Sequence, residues 1–377
     1  MSGNLKHGIY IHVPFCSKKC PYCHFYVVKS EGKDERRFID AIIREWEIKK
    51  ANVDPFSVIT LYLGGGTPTE LSNDGLCRLI SNFTSRFPNL QEVTVEANPE
   101  SVTLQQMQKL YEAGANRISL GVQSLMDHDL ILLKRQHHAS KAIDAMNLSV
   151  AAGFTNLSID LMYDLPHQSL ASFEKTLEAI GHLPITHLSL YNLVIEEKTP
   201  FKRMEKQLKK AMPDDQLSLE LYTLAKARLG ALGFEQYEIS AFSKPGYRSL
   251  HNSGYWESRP FIGLGPSSFS DDGKRRYQNI PHLQRYYAKV ENGLDPCDFE
   301  ETLAPEERFM ERLLVRLRLL DPLSLPTFIA DHGHPPKDLP HKLQTAINQG
   351  FLTSHHDHIA LTHQGVLFYD ELAAELV

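Results

Sequence analysis

Cysteine, long apolar runs and surplus positive charge are all scarce in this chain, and each scarcity removes a class of protein. Five cysteines in 377 residues are too few to staple a chain that is long enough to bury its own core, which makes a disulfide framework the weakest reading of them. No apolar stretch approaches the length of a membrane span. The residues ahead of the first motif hold one early lysine and no signal-peptide core, so the expected compartment is the cytoplasm, whose reducing conditions suit free thiolates. A formal net charge of −6 and an isoelectric point near 6.3 argue against nucleic acid or an anionic membrane surface as the main partner. There is also no short-period repeat and no low-complexity segment. What remains, 42% apolar and 23% charged residues over this length, reads as a large barrel-like domain plus an accessory one.

Three of the five cysteines fall within eight residues, Cys16, Cys20 and Cys23, just after the alternating apolar run Ile9 to Val13. That places them on the loop at a strand's C-terminal end, where α/β sheets and barrels carry their chemistry. Three thiolates on one short loop can close around an iron–sulfur cluster, hold three of its irons and leave the fourth open. The competing reading is structural zinc with His24 as fourth ligand, although adjacent Cys23 and His24 are awkwardly placed to face one metal. Cys77 and Cys297 read as ordinary buried thiols.

As far as about residue 240 the chain alternates β-like and amphipathic helical runs. The expected strands are Ile9–Val13, Val58–Leu63, Glu92–Glu96, Arg117–Gly121, Leu157–Met162 and His187–Tyr191, with helices such as Glu35–Lys49 and Leu104–Ala113 between them. Six βα units around a parallel sheet would curl into a partial barrel, an α/β fold. The second strand runs into Gly64-Gly65-Gly66-Thr67-Pro68, which lets backbone approach a ligand and exposes N–H groups, without the lysine of a phosphate-cradling loop. Later strands end in Glu96 and Asn98, Gln123 and Ser124, and Asn192, and Asp160 lies within the fifth. One polar strand end is an ordinary cap, but several at matching positions converge on one mouth. Arg135 could pair a carboxylate there; taken alone it reads as a solvated charge.

These residues carry a resemblance. The CxxxCxxC spacing, the glycine loop, Tyr10-Ile11-His12-Val13-Pro14-Phe15, Glu96-Ala97-Asn98-Pro99, Arg117 to Ser124 and Asp160 to Pro166 resemble the radical S-adenosylmethionine (SAM) superfamily. Within it they are similar to the branch that contains oxygen-independent coproporphyrinogen III oxidases and haem chaperones. The resemblance implies a [4Fe-4S] cluster on Cys16, Cys20 and Cys23, with the open iron chelated by SAM. It implies SAM contacts at Tyr10, Tyr22, Gly65, Gly66, Thr67, Glu96, Gln123, Arg135, Asp160 and Val194.

Two departures separate the members of that branch. The oxidases carry a further cysteine two residues after the third ligand, where this chain has Phe25, and an N-terminal extension, where this chain has nine residues before Tyr10. Both favour the chaperones. So does His251-Asn252-Ser253-Gly254-Tyr255-Trp256, which resembles the HNxxYW motif whose histidine is linked to haem. The implied function is a haem chaperone delivering haem to an acceptor protein; the alternative is the oxidase, converting coproporphyrinogen III to protoporphyrinogen IX. Flavodoxin or ferredoxin would donate electrons if the radical step operates, and a homodimer is allowed for.

Residues 1–240 are expected to form the barrel, 241–298 a connecting segment with the HNxxYW motif, and 299–377 an accessory domain. In the last, Phe309, Met310, Leu313, Leu314 and Leu317 share one helical face that needs a partner. A helix near Pro340–Asn348, two short strands around His355-His356-Asp357-His358 and a final helix complete a small α+β, winged-helix-like unit without a basic face for DNA. The histidine cluster reads as a solvated hairpin tip rather than a metal or second haem site.

Overall fold

A computed structural model describes residues 6–333 and 335–377. Strands and helices alternate as β1 (His7–Val13), α1 (Glu35–Lys49), β2 (Val58–Gly65), α2 (Asn73–Thr84), β3 (Glu92–Ala97), α3 (Leu104–Glu112), β4 (Arg117–Gln123), α4 (Ala139–Ala151), β5 (Asn156–Tyr163), α5 (Leu170–Ile180), β6 (His187–Asn192) and α6 (Asp215–Ala231). β1 to β6 pair in chain order and all in parallel, the six-unit α/β arrangement that the alternation predicts. Helices cover the outer face of the sheet, which is apolar through Leu61, Val95, Ile118, Ile159 and Leu188, whereas the alternate positions Thr60, Glu92, Thr94, Ser119, Ser158 and His187 put buried polar groups on the inner face. The helices are held at their ends by local chemistry. The Asp34 carboxylate accepts the Arg37 N–H to start α1, and the Ser72 hydroxyl accepts that of Gly75 to start α2.

The sheet does not stop at six strands. β7 (Glu235–Glu238) and β8 (Ala241–Ser243) form a hairpin whose second strand pairs antiparallel with β6. After α7 (Leu250–Trp256) the chain returns to the other edge, where β9 (Phe261–Leu264) lies parallel to β1. β10 (Phe269–Asp271), β11 (Arg276–Asn279) and β12 (Cys297–Glu301) then extend that edge as an antiparallel meander. The parallel section thus gains a seventh strand that a βα count ending near residue 240 cannot contain. Cys77 and Cys297 are half-buried rather than buried.

One carboxylate joins the barrel to this extension. Glu45 on α1 is fully buried, 2.7 Å from the Lys49 ammonium, and accepts hydrogen bonds from Gly265 N, Asn279 Nδ2 and Tyr286 Oη. Glu45→Ala strands the buried Lys49 charge and takes their acceptor from Gly265 N and Tyr286 Oη, while Asn279 Nδ2 keeps Gly265 O and Ser268 Oγ. The expected cost is about 3–5 kcal/mol, read from denaturant unfolding, with Glu45→Gln costing less because it keeps an acceptor.

The C-terminal unit runs α8 (Pro305–Leu317), β13 (Leu323–Ser324), α9 (Leu325–His332), α10 (Leu339–Asn348), β14 (Leu352–His355), β15 (His358–Leu361) and two short helices. Its three-stranded antiparallel sheet has the order β13-β15-β14. The apolar face of α8 finds its partner here: Phe309, Met310, Leu313 and Leu317 pack in one core with Leu343, Ile359 and Leu372. The opposite face docks on the extension, where Arg308 holds Asp271 at 2.6 Å, and Arg276 pairs with Glu301 and Glu311. His355, His356 and His358 stand exposed on the hairpin. Among the described residues no three His, Cys, Asp or Glu side chains are placed to share one metal ion, and no helix is long and apolar enough to cross a membrane.

Candidate functional site

The C-terminal ends of the parallel strands open into a cavity of about 500 Å³ that receives all three cysteines of the loop. Cys16, Cys20 and Cys23 are half-buried free thiols. Burial pushes the Cys16 thiol up to about 11 and raises that of Cys23, so neither thiolate forms readily without a cation or metal beside it. Thr67 Oγ1 lies 3.4 Å from Cys16 Sγ, and Arg135 Nη1 donates to Cys20 Sγ at 3.5 Å. All three sulfurs belong to residues that line this one cavity.

The glycine loop has a role other than the one its sequence suggests. Its amides are used within the protein: Gly65 N donates to Glu96 Oε2, Gly66 N to Val13 O and Thr67 N to Phe15 O. The glycines are needed because the loop is pressed under the cysteine loop. A Cβ on Gly66 would lie 2.6 Å from Val13 O, and one on Gly65, whose φ is +99°, 2.3 Å from His12 Nδ1. This locks the end of β2 to the start of the cysteine loop.

Around the cavity the polar strand ends do converge. Glu96 accepts the Tyr62 hydroxyl at 2.6 Å, and burial, with the Asp160 charge acting in the same direction, pushes its carboxyl up to about 7. Burial likewise pushes Asp160 up to about 6. Gln123 ends β4 in the left-handed region, at φ 72°, beside an irregularity in the β4–β5 register, the kind of strain that persists where it aims a side chain. Arg135, readable from sequence as a solvated charge, is half-buried instead. Its Nη2 donates to Asn98 Oδ1 at 2.6 Å and Gly121 O at 2.7 Å. Tyr22, Gly65, Gly66, Thr67, Glu96, Gln123, Arg135, Asp160 and Val194 all line this one cavity. Tyr10 does not; it faces a neighbouring one.

That second cavity, about 580 Å³, lies between the barrel, β10–β11 and α8, and shares His24 and Phe25 with the first. Its lining is aromatic through Tyr10, Tyr26, Tyr255, Trp256, Phe261 and Phe269, and charged through Arg276, Arg308 and Arg312 with the carboxylates Asp271 and Glu311. Arg276 and Arg308 are matched by carboxylates. Arg312 is not: its Nη2 donates to Gly273 O at 2.7 Å, its buried Nε has no partner, and among the described residues it has no ion pair. The arginine spacing Arg308, Arg312, Arg316 is visible in the sequence of α8, but only docking of α8 on the extension brings the first two of them to this cavity.

His251 is placed behind the aromatic lining. It is 2% exposed, with Nδ1 2.9 Å from Thr60 Oγ1, Nε2 2.8 Å from Tyr255 Oη, and its ring stacked on Tyr62. Burial, reinforced by the Arg259 and Arg117 charges, lowers it to about 3. The start of α7 is anchored by Glu92, whose carboxylate accepts the N–H groups of Leu250 and His251.

Residues 10–180 match the Radical SAM superfamily and residues 303–368 the HemN C-terminal domain. A protein of Escherichia coli named heme chaperone HemW is 34% identical over 378 residues, covering 97% of this chain and 96% of the relative. One of the same name from Mycobacterium tuberculosis is 32% identical, covering 98% and 94%. Among solved structures, coproporphyrinogen III oxidase (HemN) from Escherichia coli superposes with a TM-score of 0.84 at 22% identity, over 98% of this chain and 90% of that one; it shares the fold.

Proposed function

From the premise that this chain belongs to the HemW family of heme chaperones in the radical SAM superfamily, we propose that it binds haem in the aromatic cavity and passes it to an acceptor protein. The observation that carries this reading is the cavity itself. Haem is a flat apolar macrocycle with two carboxylates, and here aromatic rings line one cavity with a half-buried guanidinium, Arg312, that has no ion pair among the described residues. His251 contributes by holding Tyr255 in that lining.

Cys16, Cys20 and Cys23 would hold the [4Fe-4S] cluster, with SAM beside them in the first cavity among the family's cofactor positions. The chemistry supplied there would be one-electron reduction of the SAM sulfonium. The chain's own residues orient and enclose: Asn98 and Gly121 hold Arg135 against Cys20, and Tyr62 and Gly65 hold Glu96 toward the cavity. A reducing compartment such as the cytoplasm suits three free thiols.

The test is an anaerobic titration of cluster-reconstituted protein with ferric haem. Saturable one-to-one binding is expected, with no conversion of coproporphyrinogen III; turnover without haem binding would replace the chaperone by the oxidase. Arg312→Met is expected to weaken haem binding by about 1.5–3 kcal/mol, the worth of a charge-assisted hydrogen bond. Binding of haem dimethyl ester, which has no carboxylate to offer, should be unchanged by the same substitution.

A further inference from the structure

We propose that His24 supplies the axial ligand to the iron of bound haem, so that the cargo lies against the loop that carries the cluster thiols. This rests on the haem-chaperone reading above and deepens it by naming the iron ligand. Three imidazoles stand in or behind the aromatic cavity. His12 is engaged at both nitrogens, Nδ1 with Tyr10 Oη at 3.1 Å and Nε2 with Tyr26 O at 2.8 Å. His251 is engaged at both as well, and is buried behind Tyr255. His24 differs on each count: it is exposed, it lines both cavities, and neither of its ring nitrogens has a hydrogen-bond partner among the described residues.

Iron in haem takes an imidazole nitrogen with a free lone pair. His24 offers one without breaking an existing contact, whereas either other histidine must first release a tyrosine or a threonine. The phenols in the wall are less suited. Tyr10 and Tyr255 are tied to His12 and His251, Tyr26 Oη accepts the Leu283 N–H, and burial raises all three so that they stay neutral. Among the described residues no cysteine lines this cavity. The ring of His24 also stacks on Phe25, with centroids 4.6 Å apart and planes 29° apart, which restrains the imidazole and sets an apolar ring beside the macrocycle.

The decisive experiment titrates ferric haem anaerobically into cluster-reconstituted full-length wild type, His24→Ala, His24→Gln and His251→Ala, following the Soret band and assaying iron and sulfide. Both His24 variants should keep their cluster, lose roughly tenfold or more in haem affinity and shift the Soret band, and added imidazole should restore the wild-type spectrum. His251→Ala should bind more weakly with the band in its wild-type position. Wild-type affinity and spectrum in both His24 variants would overturn the ligand and leave the chaperone reading standing, as would a ligand change confined to His251→Ala. No saturable haem binding by wild type would overturn both.

Discussion

Cys20→Ala is expected to abolish assembly of the iron–sulfur cluster while leaving the fold intact. After anaerobic reconstitution the variant should retain almost no iron or acid-labile sulfide, whereas wild type should hold both in equal amounts. The reason lies in where the sulfur sits. Cys20 is half-buried on a loop at the cavity wall, outside the apolar core, and its sulfur accepts one long hydrogen bond from Arg135. Truncation therefore opens no core cavity, and thermal unfolding of the apo-protein should shift little. Loss of one of three thiolates exposes a second iron to solvent, and a cluster held by two ligands is not retained. Stoichiometric zinc without sulfide in the wild type would instead restore the structural-metal reading of the same cysteines.

The affinity for SAM should rise by up to about tenfold between pH 6 and 7, fall more steeply below pH 6 where both carboxyls are protonated, and level off above 7. Burial, with the Asp160 charge, holds Glu96 protonated up to about pH 7, and Asp160 itself up to about 6. SAM is a cation, so it binds the ionised carboxylates better and releases protons on binding. Equilibrium dialysis between pH 6 and 8 in two buffers of different ionisation enthalpy would check this, and Glu96→Gln should flatten the profile. The same shift affects stability with a definite sign. A carboxyl raised in the folded state binds more protons there than when unfolded, so the apo-protein loses stability as pH rises from the ordinary glutamate value through about 7. Bound SAM should offset that loss. A flat affinity profile would mean that neither carboxylate faces the ligand's charge.

Much of the first cavity was legible in the sequence because its signals are local. Cys16, Cys20 and Cys23 are close in sequence, and Glu96, Gln123 and Asp160 sit at or near the ends of strands that apolar runs announce. Parallel βα units bring such ends together in any chain with that alternation. The glycines were legible as a point of close approach, but what they approach, the Val13 and Phe15 carbonyls and the His12 ring, is known only from the packed loop. Arg135 was ambiguous for a related reason: a charge after a helix looks solvated until Cys20, Asn98 and Gly121 are seen around it.

The sequence by itself determined the alternating α/β chain, the cysteine loop at a strand end, the amphipathic α8 and, through its motifs, the family. Periodicity and spacing act over a few residues, and these features need nothing longer. Only the tertiary structure decided that Phe261–Leu264 becomes a seventh parallel strand beside β1 and that Tyr10 faces a different cavity from the other cofactor positions. It alone decided that His251 is enclosed by Thr60 and Tyr255, and that Arg312 lines the same cavity as the aromatic rings with no ion pair among the described residues. Each of these depends on which distant segment packs on which. That choice is made by the burial of whole faces in the folded chain, and no short stretch records it.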